Sequence, residues 1–183
     1  MAVKTLLTIQ DYAAMEEPGG VRYELSGGEL IVSPSSSYVH NRIRDKLNFR
    51  LQSFVEQHRL GIVTCETDLQ LATDTVRRPD VAFIQAGRLQ GVDLEQSPLP
   101  VAPDLAFEIV SKNDRADDLM VKVEQYLHAG AQAVWLLYPK IHLAHRYARG
   151  KLAPEVRDAA AGQNLEEPET LPGFSVPLSD IIG

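Results

Sequence analysis

The sequence predicts a mixed α/β fold in which helices pack against a central sheet. Three observations support this: strand-like apolar runs recur along the chain, a long amphipathic helix precedes most of them, and a second helical segment separates two short apolar runs. A chain of 183 residues fits one domain, expected to span residues 1–183, and is long enough to bury a sizeable core without cross-links.

The N-terminal part predicts a short helix followed by a β-hairpin. Residues 8–15 indicate the helix, with Thr8 as its cap. Residues 21–25 and 29–33 read as strands, and the glycines of the intervening segment 26–28 tolerate the positive φ of a tight turn.

A long amphipathic helix is predicted over residues 38–58. Its apolar side chains recur every fourth position and therefore share one face. They are Val39, Ile43, Leu47, Leu51 and Val55.

Strand patterns dominate the next part of the chain. Residues 61–71 and 76–84 each predict one strand, joined by a turn at 73–74. Residues 88–102 are loop-like, and residues 105–111 form a short apolar run typical of a buried strand.

A second helix and a pair of strands complete the predicted core. The helix is expected to start at a cap on Asn113 or Asp114 and to continue through Ala129. Residues 133–138 predict a buried strand that pairs with 143–148. The remaining tail is expected to contain strands and turns.

Composition excludes several classes of protein. The single cysteine, Cys65, excludes an internal disulfide framework and a Cys-based zinc site. Residues 1–4 do not resemble a signal peptide, and no stretch has the length and hydrophobicity of a membrane span, so a cytoplasmic location is expected.

The formal net charge of −7 argues against tight, non-specific binding to nucleic acid, because phosphate contacts require basic side chains. The basic residues are unevenly distributed, however. Four of them, Arg42, Arg44, Lys46 and Arg50, follow one another closely in the long helix. They form a solvated helix face or, alternatively, a surface that contacts a DNA backbone.

Two acidic residues within strand-like segments indicate the chemistry. Asp80 follows Pro79 in the 76–84 segment, and Glu108 lies within the 105–111 segment. Burying an acidic side chain in a β-type segment costs several kcal/mol of desolvation free energy unless a cation lies beside it. Two such acids on neighbouring strands can share a divalent metal such as Mg²⁺, which is the minimal apparatus of a metal-dependent phosphodiesterase.

Several short motifs, in this order, resemble the Uma2 family of bacterial proteins. They are Tyr23-Glu24-Leu25, Gly28-Glu29-Leu30, Ser33-Pro34, His40, Arg78-Pro79-Asp80-Val81-Ala82-Phe83, Pro103-Asp104-Leu105-Ala106-Phe107-Glu108-Ile109-Val110-Ser111, Asp118, Lys122, Tyr126, Gly130, Val134-Trp135 and Leu171-Pro172-Gly173-Phe174. The resemblance covers nearly the whole chain. It implies a PD-(D/E)xK restriction-endonuclease-like fold, with a mixed central sheet flanked by helices, and a Mg²⁺- or Mn²⁺-dependent endonuclease activity on DNA.

The catalytic lysine is the main departure from the usual motif. Its expected position, two residues after the second acid, holds Val110. In the Uma2 family the lysine lies on the following helix, which maps onto Lys122. Lys112 is the rival, because it shares strand parity with Glu108.

The resemblance predicts a site in which Asp80, Glu108 and a backbone carbonyl near Ile109 hold one divalent ion. Lys122 would orient the attacking water or offset developing charge. Glu24, in the first hairpin, would complete the metal shell or hold a second ion. Contacts to nucleic acid are expected from His40, Arg42, Arg44 and Arg78.

Structural alternatives with a named partner exist for Glu108 and Lys122. Glu108 could instead form a salt bridge with Arg22 or Arg78. Lys122 shares a helix face with Asp118 and Tyr126, so it could form an ordinary surface pair with Asp118, and Tyr126 is expected to serve in packing.

Three functions stay open at this point. The first is a DNA endonuclease, with RNA as the alternative substrate. The second is a non-catalytic nucleic-acid- or protein-binding module on a nuclease fold, and the third is a hydrolase of another phosphoester. A homodimer is compatible with exposed β edges, and related folds often pair to cut both strands.

Overall fold

The computed structural model describes residues 6–183, which form three sheets and four α-helices. The helices are α1 (Ile9–Ala13), α2 (Tyr38–His58), α3 (Ala116–His128) and α4 (Leu178–Ile182). The strands are β1 (Val21–Ser26), β2 (Glu29–Pro34), β3 (Gly61–Cys65), β4 (Leu69–Ala72), β5 (Thr75–Arg77), β6 (Val81–Gln85), β7 (Leu105–Ile109), β8 (Ala133–Tyr138), β9 (Leu143–Ala148), β10 (Glu155–Asp158), β11 (Asn164–Glu166) and β12 (Ser175–Pro177). Among residues 6–183, no helix combines the length and the hydrophobicity needed to cross a membrane.

The main sheet has six strands in the order β10-β9-β8-β7-β6-β3. Its neighbours are antiparallel except for β7 and β8, which run parallel and are connected through α3. A second sheet has the order β2-β1-β5-β4, and β11 pairs with β12. This is the mixed α/β architecture that the sequence predicts.

The two long helices cover opposite faces of the main sheet. Alternate residues of β7 point to opposite sides, so Phe107 and Ile109 join the core beneath α2, whereas Ala106 packs with α3. Glu108 shares the parity of Ala106 and therefore faces α3. The core beneath α2 also includes the C-terminal segment, through residues such as Phe174.

The N-terminal predictions are confirmed. Thr8 caps α1 in a reciprocal capping box with Asp11, and the hairpin strands β1 and β2 pair in full register. The long helix α2 covers residues 38–58, with Ser37 as its cap. It buries four of the five predicted apolar residues, whereas Val39 is exposed.

The prediction of single strands over 61–71 and 76–84 is wrong. Each segment contributes one strand to the main sheet and one to the smaller sheet: β3 and β4 in the first, β5 and β6 in the second. The breaks fall at residues 66–68 and 78–80. At the first, Glu66 has a positive φ of 49°, and at the second, Pro79 cannot donate to a ladder.

The predicted start of the second helix is also wrong. Arg115 occupies the cap position of α3 without a side-chain cap, and Asp114 instead accepts a hydrogen bond from the Ser111 N–H at 2.6 Å. The predicted pairing of 133–138 with 143–148 is confirmed as β8 with β9. The tail contains strands and turns, and also the short helix α4.

Candidate active site

Two chain segments cross between the sheets side by side, and they place Asp80 at the junction. The Glu66 N–H donates to the Pro79 carbonyl at 3.1 Å, which ties segment 66–68 to segment 78–80. In the main sheet Val81 pairs with Phe107, so Asp80 lies one step beyond this pair and faces Glu108. Asp80 thus lies immediately before β6, whereas Glu108 lies within the neighbouring strand β7.

Glu24 reaches the same junction from β1. Its carboxylate accepts from the Arg78 N–H at 2.8 Å and from Arg77 at 3.2 Å, and it lies 3.0 Å from Lys122 Nζ. Burial alone would raise the pKa of Glu24, but the charges of Lys122 and Arg77 and the Arg78 N–H overcome this and lower it.

Glu108 lies beside Lys122 and Tyr126 of α3. Lys122 Nζ is 3.3 Å and 3.4 Å from the two carboxylate oxygens, and the Tyr126 hydroxyl donates to Oε1 at 2.9 Å. Burial raises the pKa of Glu108 to about 7, the carboxylates of Asp80 and Glu24 act in the same direction, and Lys122 opposes them. Neither Arg22 nor Arg78 forms the alternative salt bridge to Glu108; both are paired with other carboxylates.

Asp80 is held by one backbone and one side-chain group. The Ile109 N–H donates to Asp80 Oδ2 at 2.7 Å, and His40 Nε2 lies 3.1 Å from the same oxygen. Ile109 thus contacts Asp80 through its N–H, and a metal-binding role for its carbonyl stays a prediction.

His40 lies in the first turn of α2, where its N–H donates to the capping Ser37 hydroxyl at 3.3 Å. Burial would lower the pKa of His40, but the hydrogen bond and charge of Asp80 raise it. Its second ring nitrogen, Nδ1, is buried without a hydrogen-bond partner in the part of the chain that the structure describes. Buried polar atoms are usually satisfied, so this nitrogen is suited to an ordered water.

The three carboxylates are of the chemical type that binds divalent cations, and Lys122 already offsets part of their charge. Glu24, Asp80 and Glu108 are each only 6% exposed and supply the oxygen ligands that Mg²⁺ and Mn²⁺ prefer. Burial is the main cause of the raised pKa of Glu108, and the charges of Asp80 and Glu24 add a smaller repulsion that a cation would relieve. In the arrangement described for residues 6–183, the Lys122 ammonium lies between Glu24 and Glu108, and no three His, Cys, Asp or Glu side chains have ligand geometry.

The two candidate lysines differ in position. Lys122 is 20% exposed and contacts two carboxylates of the cluster, whereas Lys112 is exposed in the loop after β7. The alternative pairing of Lys122 with Asp118 is not formed, because Asp118 lies 4.0 Å from Arg115 instead.

The four predicted nucleic-acid contacts are in different environments. Arg42 and Arg44 line an open cleft of about 520 Å³ along α2, together with Tyr38 and Phe49. Arg78 is engaged by Asp68 at 2.6 Å and by Glu17 at 2.8 Å. His40 faces Asp80, as described above.

Sequence reasoning missed three contributors to the cluster. The Tyr126 ring is buried, as its predicted packing role requires, but its hydroxyl also binds Glu108. Arg77 binds Glu24, and Gln125 accepts from Arg77 Nε at 2.7 Å. The spacing of Tyr126 one turn after Lys122 is a signal for the first; no sequence pattern indicates the other two.

Comparisons with known proteins give a family and a fold. A family model described as Uma2, putative restriction endonuclease, matches residues 9–179. A crystal structure of a putative nuclease belonging to DUF820 from Anabaena variabilis is similar, with a TM-score of 0.84 and 19% identity over 96% of this chain and 97% of that one. No curated protein matches the sequence.

Proposed function

This chain belongs to the Uma2 family, and from that premise we propose that it is a divalent-metal-dependent endonuclease that hydrolyses phosphodiester bonds of DNA. The observation that carries the proposal is the convergence of three buried carboxylates, Glu24, Asp80 and Glu108, with one lysine at the junction of two sheets. The proposed catalytic unit is the single domain expected from the sequence.

In this proposal Asp80 and Glu108, with the Ile109 carbonyl, hold Mg²⁺ or Mn²⁺, and Glu24 completes the shell or holds a second ion. When bound, the ion supplies Lewis-acid polarisation of the scissile phosphate and lowers the pKa of a coordinated water. Tyr126 and His40 orient the Glu108 and Asp80 carboxylates through the hydrogen bonds already described.

Lys122 acts on the reacting groups. Its ammonium already lies within 3.4 Å of Glu108 and 3.0 Å of Glu24, so it can orient the attacking water or offset charge on the phosphate. In-line attack on phosphorus then breaks the P–O3′ bond and leaves a 3′-hydroxyl and a 5′-phosphate.

Substrate recognition in the proposal rests on phosphate contacts by His40, Arg42, Arg44 and Arg78. DNA is the proposed substrate, in keeping with the expected cytoplasmic location. A homodimer would allow both strands of a duplex to be cut.

The test is cleavage of supercoiled plasmid and of single-stranded DNA with Mg²⁺ or Mn²⁺. Wild type should nick the plasmid. Asp80→Asn and Lys122→Met should each lose at least about 100-fold in rate, the scale at which one electrostatic or acid–base group contributes. Asp118→Asn and Lys112→Met are the matched controls on exposed residues and should retain wild-type rates.

Other outcomes separate the rival functions. The Lys122 ammonium between Glu24 and Glu108 is the observation that favours a non-catalytic module, because it neutralises the cluster without a metal. A folded wild type that binds but does not cut nucleic acid would support that module. Cleavage of another phosphoester alone would support the third function.

A further inference from the structure

Glu66 lies beside the candidate site and binds two arginines, Arg22 and Arg44, that take no part in the proposed cleavage step. Its Oε1 accepts from Arg22 and, at 2.5 Å, from Arg44. Glu66 also adopts a positive φ of 49°, which is uncommon for a residue with a side chain and occurs preferentially at functional sites.

Each of the two arginines lies on the same element as a residue of the candidate site. Arg22 precedes Glu24 by two positions in β1, so both side chains leave the same face of the strand. Arg44 follows His40 by one turn of α2 and lies on the same helix face. Glu66 follows Cys65, which pairs with Val81, and therefore lies across from Asp80.

The arrangement resembles the binding of a phosphate oxygen. Guanidinium groups bind carboxylates and phosphates with the same donor geometry, and here two of them converge on one oxygen. The side chains of Arg22, Arg44 and Glu66 are 22%, 16% and 28% exposed, so solvent reaches all three. Arg44 also lines the open cleft along α2.

We propose that Arg22 and Arg44 form a subsite for a backbone phosphodiester of a nucleic-acid strand, next to the phosphate that is cut, and that Glu66 occupies it in the free protein. The Glu66 carboxylate keeps the two guanidinium groups in place, together with Asp45, which lies 2.9 Å from Arg44 Nη2. A phosphate replaces Glu66 when the strand binds. This inference rests on the proposed function, because it assigns a strand to the same site.

The test measures binding separately from cleavage. Fluorescence anisotropy of labelled 20-nucleotide duplex DNA, single-stranded DNA and RNA, with EDTA and with Ca²⁺, is compared across salt concentrations. The variants are Arg22→Gln, Arg44→Gln and Glu66→Gln. Arg50→Gln is the matched control, since Arg50 lies on the same helix but pairs with Asp180 away from the site.

Each of Arg22→Gln and Arg44→Gln should raise Kd about 3–10-fold and reduce the slope of log Kd against log salt by about 1. Glu66→Gln should lower Kd about 2–5-fold, because the phosphate no longer competes with a carboxylate. Arg50→Gln should stay within about twofold of wild type. Circular dichroism checks that every variant is folded.

The opposite signs of the arginine and glutamate variants distinguish a binding subsite from a purely structural cluster. The proposal is overturned if wild type binds none of the three probes, if the arginine variants match Arg50→Gln, or if Glu66→Gln weakens binding. Normal cleavage with unchanged Kd in the arginine variants would reject the subsite and keep the nuclease. The expected binding pattern without cleavage would keep the subsite and reject the nuclease.

Discussion

Glu108 is a buried carboxylate whose neighbours shift its pKa in opposite directions. Burial and the charges of Asp80 and Glu24 raise its pKa to about 7, whereas Lys122 and the Tyr126 hydroxyl favour the ionised form. An unpaired buried acid is costly, so each of the two donors makes a measurable contribution to the folded state.

We expect Tyr126→Phe to lower the free energy of unfolding by about 1–2 kcal/mol, because it removes a hydrogen bond to a buried carboxylate and leaves the ring in place. Urea denaturation followed by circular dichroism measures this. Tyr147→Phe is the matched control, since Tyr147 is half-buried and its hydroxyl forms no hydrogen bond within residues 6–183. Equal stability of the two variants would show that the Tyr126 hydroxyl contributes nothing.

The Cys65 thiol should react slowly in the native protein. Burial raises its pKa to about 11 from an ordinary value of 9.0, and only the thiolate is nucleophilic. At pH 8 we expect alkylation by iodoacetamide to be about 100-fold slower than in the same protein unfolded in urea, and the native rate to rise with pH up to about 11. Intact-mass spectrometry follows the reaction. Equal rates in native and unfolded protein would contradict the burial of this thiol.

At the scale of the elements, the site depends on two chain segments that cross from one sheet to the other. The segments 66–68 and 78–80 run beside each other, and the second delivers Asp80 to the edge of β6 opposite Glu108 in β7. Because residues 76–84 are divided between β5 and β6, Glu24 on β1 belongs to the smaller sheet and Glu108 on β7 to the main sheet. The break brings acids from two sheets together.

Local sequence patterns predicted the helices and strands better than they predicted which strands pair with one another. The boundaries of α2 and the hairpin follow from capping, glycines and apolar periodicity, all of which are local. The break after Cys65 depends on which sheet each half joins, and no residue spacing encodes that choice. Asp80, Glu108, Glu24 and Lys122 could be predicted to cluster because the family resemblance supplied long-range information that periodicity lacks.

The contribution of Arg77 to the site could not be predicted for the same reason. Arg77 lies in a three-residue strand, where an arginine normally indicates an exposed edge. Its side chain is 4% exposed because it reaches Glu24 in the neighbouring strand and Gln125 in α3. Both partners are distant in sequence, so only the tertiary structure identifies them.

The C-terminal segment is attached to the main sheet by a second buried ion pair. Glu167 is fully buried and accepts hydrogen bonds from Arg146 of β9 and from the Trp135 indole of β8. We expect Glu167→Ala to destabilise the protein by about 3–5 kcal/mol, because Arg146 loses its fully buried partner. Thermal denaturation and limited proteolysis of the tail measure the effect.

Glu169→Ala is the control for this change, since Glu169 is exposed in the same segment. This substitution should lower the free energy of unfolding by less than about 0.5 kcal/mol. A Glu167→Ala protein as stable and as protease-resistant as this control would show that the ion pair does not hold the tail.

At the scale of the whole molecule, the charge distribution allows an acidic protein to have a nucleic-acid substrate. The net charge is −7, yet Arg22, Arg42, Arg44 and Lys46 lie on one side of the carboxylate cluster. The long-range electrostatic field of the protein therefore opposes non-specific binding of nucleic acid. Close to the site, the local basic surface favours contact with phosphate groups. We expect recognition to depend on short-range phosphate contacts.

The central claim is that Glu24, Asp80 and Glu108 form a divalent-cation site, and Mn²⁺ binding tests it most directly. Electron paramagnetic resonance measures free Mn²⁺ during titration of wild type, Glu108→Gln and the control Glu17→Gln, whose carboxylate pairs with Arg78 outside the cluster. Wild type and Glu17→Gln should bind Mn²⁺ saturably and release it to Mg²⁺, while Glu108→Gln should bind at least about 10-fold more weakly. No saturable binding by wild type, or equal binding by Glu108→Gln, would contradict the claim.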